Sequence, residues 1–146
     1  KNQKEWYSGK KKRHTVKTRV IIERKNKKIA DVREAAGSVH DFKLFKDSTG
    51  DSINETVGID ADPGCPGLEK PHGKSRIPKK ASNCHKLARR EKEHNTRLAP
   101  RRVVIEHINA KIKTFKSMSY PYRNHRTRHL LRMSLICGII NFELCL

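Results

Sequence analysis

Positive charge runs through this chain from one end to the other, and that limits what it can fold into. Basic clusters stand at Lys10–Arg13, Arg24–Lys28, Lys79–Lys80, Arg101–Arg102 and Arg123–Arg128, so a detachable basic tail does not account for the excess. Thirty-four Lys and Arg face fifteen Asp and Glu, a formal charge of +19 over 146 residues, while 34% of the residues are hydrophobic and 5% aromatic. Such a length supports one domain, but its core must be thin and its surface strongly cationic. A polyanionic partner follows, nucleic acid first. Ribosomal and other basic modules share this composition, and charge alone says nothing about catalysis.

Other classes fit less well. The longest apolar stretch, Leu130–Leu144, is interrupted by Arg132, Asn141 and Glu143 and is shorter than the roughly 20 residues needed to span a bilayer. It reads as a buried helix, with no membrane partner. Cys65, Cys84, Cys137 and Cys145 form no CxxC pair, which fits reduced thiols in a cytosolic protein. Cys65, Cys84, His85 and His94 have the wrong spacing for a zinc finger. The chain starts at Lys1 without leader-like character, as if opening mid-domain.

Along the chain, His14–Glu23 alternates, with Val16, Thr18, Val20 and Ile22 on one side and Lys17, Arg19 and Glu23 on the other. This is the pattern of a half-buried strand, and Lys28–Arg33 follows as its partner across a tip at Lys25–Lys27. Ser38 and Asp41 have capping-box spacing ahead of Phe42, Leu44 and Phe45, which predicts a short helix. Val57–Ile59 reads as a strand ending at Asp60-Ala61-Asp62, followed by a loop at Pro63–Gly67. Glu69–Asn83 has no apolar periodicity and several Pro, Gly and Lys residues, so a mobile basic insertion touching the ligand is expected. Helical character resumes at His85, and a longer helix is expected from Pro100, placed in its first turn, to Met118. Pro121 breaks the pattern and a last helix covers about Arg126–Phe142. The segments are thus 1–35, a β-hairpin; 36–68, helix, strand and acidic loop; 69–99, basic insertion and short helix; and 100–146, C-terminal helices.

On the long helix, Val104, Ile108, Ile112 and Phe115 form one narrow apolar stripe. Arg102, Glu106, Asn109 and Lys113 cluster on the opposite face, one carboxylate among cations. The plain reading is an i, i+4 pair of Arg102 with Glu106 on a solvated face, worth a few tenths of a kcal/mol. The functional reading gives Glu106 a divalent metal and Arg102 and Lys113 the phosphates of a DNA strand.

The run Arg102-Val103-Val104-Ile105-Glu106-His107, with Ile112-Lys113, Phe115 and Tyr122-Arg123-Asn124, resembles the third signature of transposases of the insertion-sequence-five group and related DDE endonucleases. Arg, three residues, Glu, six residues, Lys is that family's spacing. Ala61-Asp62-Pro63-Gly64-Cys65-Pro66-Gly67 is similar to the segment carrying the family's second acid. Tyr7-Ser8-Gly9-Lys10 and Gly37-Ser38-Val39-His40-Asp41-Phe42 resemble the segments that follow its first acid. The resemblance implies an α/β, ribonuclease-H-like core, incomplete here because the first central strand and its Asp lie upstream of Lys1. It implies Asp62 and Glu106 as catalytic metal ligands, two Mg²⁺ or Mn²⁺ ions, and DNA as partner. Arg101, Arg102, Lys113, Lys79, Lys80 and Arg123 are the expected DNA contacts. The parent enzyme would cut and join DNA at element ends, with a homo-oligomer on DNA as one arrangement. The chain alone would be inactive and poorly folded, its strands exposing unpaired edges.

Three departures from the family pattern stand out. Cys65 replaces a Tyr, Pro63 and Pro66 stiffen the acidic loop, and Ala99 stands where related families carry another Tyr. Asp60 competes with Asp62 for the second-acid role, Asp41 is explained by its capping-box position, and His40 and His107 read as structural or phosphate-facing. Tyr120, Tyr122 and Arg123 fit either stacking on an unpaired base or core packing. The rival function is a non-catalytic basic nucleic-acid-binding protein held by phosphate contacts.

Overall fold

The β-branched residues of the alternating segment form a hairpin. In the computed structural model, which describes residues 3–9, 11–47, 53–54, 56–61, 74–82, 86–121 and 128–145, helix α1 (Gln3–Trp6) leads into β1 (Tyr7–Ser8), paired antiparallel with β2 (Arg13–His14). Strands β3 (Val16–Ile22) and β4 (Ile29–Ala36) make the larger antiparallel ribbon, in register from Val16 opposite Ala36 to Val20 opposite Val32. The second strand runs three residues beyond the predicted Arg33, because Glu34, Ala35 and Ala36 find partners in Thr18, Lys17 and Val16.

Local chemistry fixes this ribbon. Arg19 and Arg33 sit directly opposite each other, an arrangement that like charge disfavours. Asp31 answers both, at 2.7 Å from Arg19 and 3.1 Å from Arg33. At the tip, the Lys28 N–H donates to the Asn26 side chain at 2.9 Å, and Asn26 donates to Glu23 at 2.6 Å. Lys27 takes the left-handed conformation, φ 60°, that closes the turn.

The chain clusters into two compact units, residues 1–38 with 103–146, and residues 39–102. In the first, Ile29, Ile108, Ile112, Met133, Ile136, Cys137 and Ile140 form the core, flanked by Val20, Ile22, Val32, Phe115 and Met118. Helix α5 (His129–Glu143) packs across β4. Its Asn141 accepts from the Ile29 N–H at 2.7 Å and donates to the Ile29 carbonyl at 2.9 Å. His129, at the start of α5, lies against the Glu34 carboxylate of β4. Burial pushes the Cys137 thiol above its ordinary value, whereas Cys145 is exposed. Peptide mapping after brief treatment with a maleimide at neutral pH should therefore find Cys145 labelled and Cys137 untouched until denaturant is added. Equal labelling of both in buffer would contradict this packing.

In the second unit, helix α2 (Asp41–Phe45) buries Leu44 and Phe45. Its cap differs from the sequence expectation. His40 caps it, its Nδ1 accepting from the Phe42 N–H at 3.3 Å. Ser38 instead donates to the Glu5 carbonyl at 2.6 Å, a tertiary partner that no local pattern announces. The expected strand at Val57–Ile59 is an isolated parallel bridge between Asp60 and Arg76, since two polar or glycine-rich stretches offer little to extend it.

The long helix α3 (Arg89–Thr114) is one element with Pro100 inside it, not a new helix begun by Pro100. An interior proline removes one hydrogen bond and costs about 3 kcal/mol in a helix. Pro100 and Thr96 are both exposed, so water can reach the carbonyl deprived of its donor. A one-turn helix α4 (Lys116–Ser119) follows, and α5 ends the described chain in place of the expected Arg126–Phe142, with Arg126 outside the described residues. Among the described residues no helix is long and apolar enough to cross a membrane.

Candidate nucleic-acid interface

The apolar stripe of α3 packs as its spacing requires: Ile108 and Ile112 are buried, and Val104 and Phe115 half-buried. Fixing that stripe sets the direction of the opposite face. In the unit of residues 1–38 and 103–146, Glu106 is exposed and His107 beside it likewise. One and two turns on, Asn109 and Lys113 line a cavity of about 300 Å³ between α3, α5 and the β3 face, walled by Val16, Val20 and Met133. Lys113 thus brings a cation to the mouth of a concave surface.

The other unit carries Arg101, Arg102, Lys79 and Lys80. Asn95 on α3 accepts from the Lys79 N–H and donates to the Lys79 carbonyl, both at 2.9 Å. This pair of hydrogen bonds staples the basic segment to the helix and leaves the Lys79 and Lys80 side chains exposed. The brace was not readable from sequence, because it joins residues sixteen positions apart with no shared periodicity. Arg89, Arg90, Lys92 and Arg97 are also exposed on α3, with Arg89 paired to Glu93 at 3.0 Å.

Asp60 is held between two guanidiniums, Arg76 and Arg101, each at 3.6 Å. Arg101, expected to meet DNA, is therefore engaged with a carboxylate in this structure. A carboxylate so compensated is a poor candidate for a cation, which weakens Asp60 as the alternative second acid. Asp62, Arg123 and Tyr122 lie outside the described residues. Tyr120 is exposed rather than packed in the core. Among the described residues no group of three or more His, Cys, Asp or Glu side chains gathers in a way that could hold a metal.

The sequence profile of the DDE superfamily endonucleases matches residues 1–141, nearly the whole chain. The chain belongs to that family. Over its full length it is 42% identical to a protein of Microchaete diplosiphon described as "Probable transposase for insertion sequence element IS702". It spans about half of that relative, 52% of its length. No solved structure matches this DDE endonuclease sequence. Its mixture of helices and small sheets is consistent with the family's nuclease domain.

Proposed function

We propose that this chain is the acid-bearing part of a transposase that cuts and joins DNA at the ends of an insertion element. The observation that carries this reading is the spacing of Arg102, Glu106 and Lys113 on one continuous helix of a chain belonging to the DDE endonucleases. On this reading Asp62 and Glu106 supply hard oxygen donors to Mg²⁺ or Mn²⁺. The double pairing of Asp60 favours that donor set over one using Asp60. Bound there, the metal would activate the attacking water or 3′-hydroxyl and stabilise the leaving oxygen.

The chain's own residues would do the rest. Arg102 and Lys113 hold the DNA backbone by charge-assisted contacts, while Lys79, Lys80 and Arg123 add phosphate neutralisation that positions without reading sequence. The core is taken as ribonuclease-H-like, with the antiparallel β3–β4 ribbon as its larger described sheet.

DNA binding measured by fluorescence anisotropy tests the reading. Log affinity should fall linearly with log salt, and Lys113→Gln should lower the slope by about 1. At constant ionic strength Mg²⁺ should raise affinity for the native chain and not for Glu106→Ala. Mg²⁺-dependent nicking of plasmid that persists in Glu106→Ala would sink the assignment. The +19 charge also suits a non-catalytic basic binder, and affinity indifferent to Mg²⁺ in both proteins would favour that reading.

A further inference from the structure

Helix α5 is apolar on two sides, and among the described residues one packs into the core while the other stands exposed. Met133, Ile136, Cys137 and Ile140 face the core, whereas Leu131, Leu135, Ile139 and Phe142 stand 48% to 66% exposed. At about 100° per residue these four, with Gly138, fall on one outer stripe. From Met133 to Phe142 the sequence carries no charge, in a chain whose surface is otherwise dominated by cations. Exposed apolar stripes of this kind on soluble proteins mark association surfaces.

We propose that this stripe joins two copies of the chain as an antiparallel helix pair about a two-fold axis between Leu135 and Gly138. Three features select a second copy. First, the stripe is self-complementary. In the antiparallel register that opposes Leu131 to Phe142, Leu135 meets Gly138 of the other copy, where nothing lies within 4 Å of a Cβ position and a leucine can seat against bare backbone. Second, the flanks match in charge. Arg132 and Glu143 border the same edge of the stripe near opposite ends of α5, so antiparallel pairing sets each Glu143 beside the other copy's Arg132, twice by symmetry. Parallel pairing would set this edge against the other copy's opposite edge and lose the match. Third, the stripe is long enough to run the helix: Leu131 to Phe142 spans about three turns, so this register engages α5 along most of its length. Glu143 also meets Lys111 of its own copy at 3.4 Å on an exposed surface, a contact that solvent screens.

Sedimentation equilibrium of the full chain at moderate salt, which quiets repulsion between two cationic copies, tests this. The native chain should dimerise, and Leu135→Glu, at an exposed site, should weaken the dimer at least tenfold while helical circular dichroism is kept. Gly138→Leu separates a specific seat from general stickiness. It enlarges the apolar face and favours helix, so a non-specific patch would associate more, whereas the proposed packing predicts a weaker dimer. Glu143→Arg should weaken association, and adding Arg132→Glu should restore it. A monomer at every concentration, polydisperse aggregate without a dimer, tighter association of Gly138→Leu, or a charge swap that restores nothing would each overturn the proposal.

Discussion

Asn141→Leu is expected to cost the unit built on β3, β4 and α5 about 2–4 kcal/mol, a large share of the 5–15 kcal/mol by which folded domains are stable. The side-chain amide makes both hydrogen bonds to the Ile29 backbone, at 2.7 and 2.9 Å, and Ile29 is itself buried. Leucine has similar volume but no donor or acceptor. It would leave an N–H and a carbonyl stranded where water does not reach. Urea unfolding followed by circular dichroism reads the loss directly, and a change below about 1 kcal/mol would mean that the ribbon and α5 are not tied at this point.

Gly37→Ala should be nearly as damaging for a different reason. A Cβ at Gly37 would run into the Thr15 hydroxyl and lie 2.7 Å from the Thr15 carbonyl and 2.9 Å from the Trp6 carbonyl. Two of these are backbone atoms, and both segments are already pinned. The Thr15 N–H donates to Trp6 at 2.8 Å, and the Ser38 N–H donates to Glu5 at 3.2 Å. Overpacking of this kind costs about 1–3 kcal/mol or more. Its mark should be local: amide exchange should accelerate at Thr15 and Ser38 while Ile108 and Ile112 stay protected. Uniform protection of the N-terminal junction in the alanine variant would show that the backbone yields there easily.

Periodic features were legible in the sequence. The alternation of Val16, Val20 and Ile22 gave the first strand, and Ile108 with Ile112 gave the buried face of α3 and hence the outward direction of Glu106. The order of acidic and basic motifs pointed to the DDE endonucleases, which the match over residues 1–141 bears out. Contacts that join distant residues were not legible. Capping-box spacing favoured Ser38, but a carbonyl of Glu5, thirty-three positions away, claims its hydroxyl. Pro100 suggested a helix start because proline suits a first turn, yet the flanking residues favour helix strongly enough to carry it through. The clamp of Arg76 and Arg101 on Asp60 depends on bridging two remote segments, which no window of sequence reveals. Arg101 therefore serves a carboxylate here, where composition alone suggested a phosphate.

Because Pro100 has no N–H to offer, the ladder of α3 lacks one rung, and the place of that gap is written into the covalent chain. Under gentle heating the rod should come apart first at this turn, unzipping as two stretches with separate midpoints rather than fraying evenly from its tips.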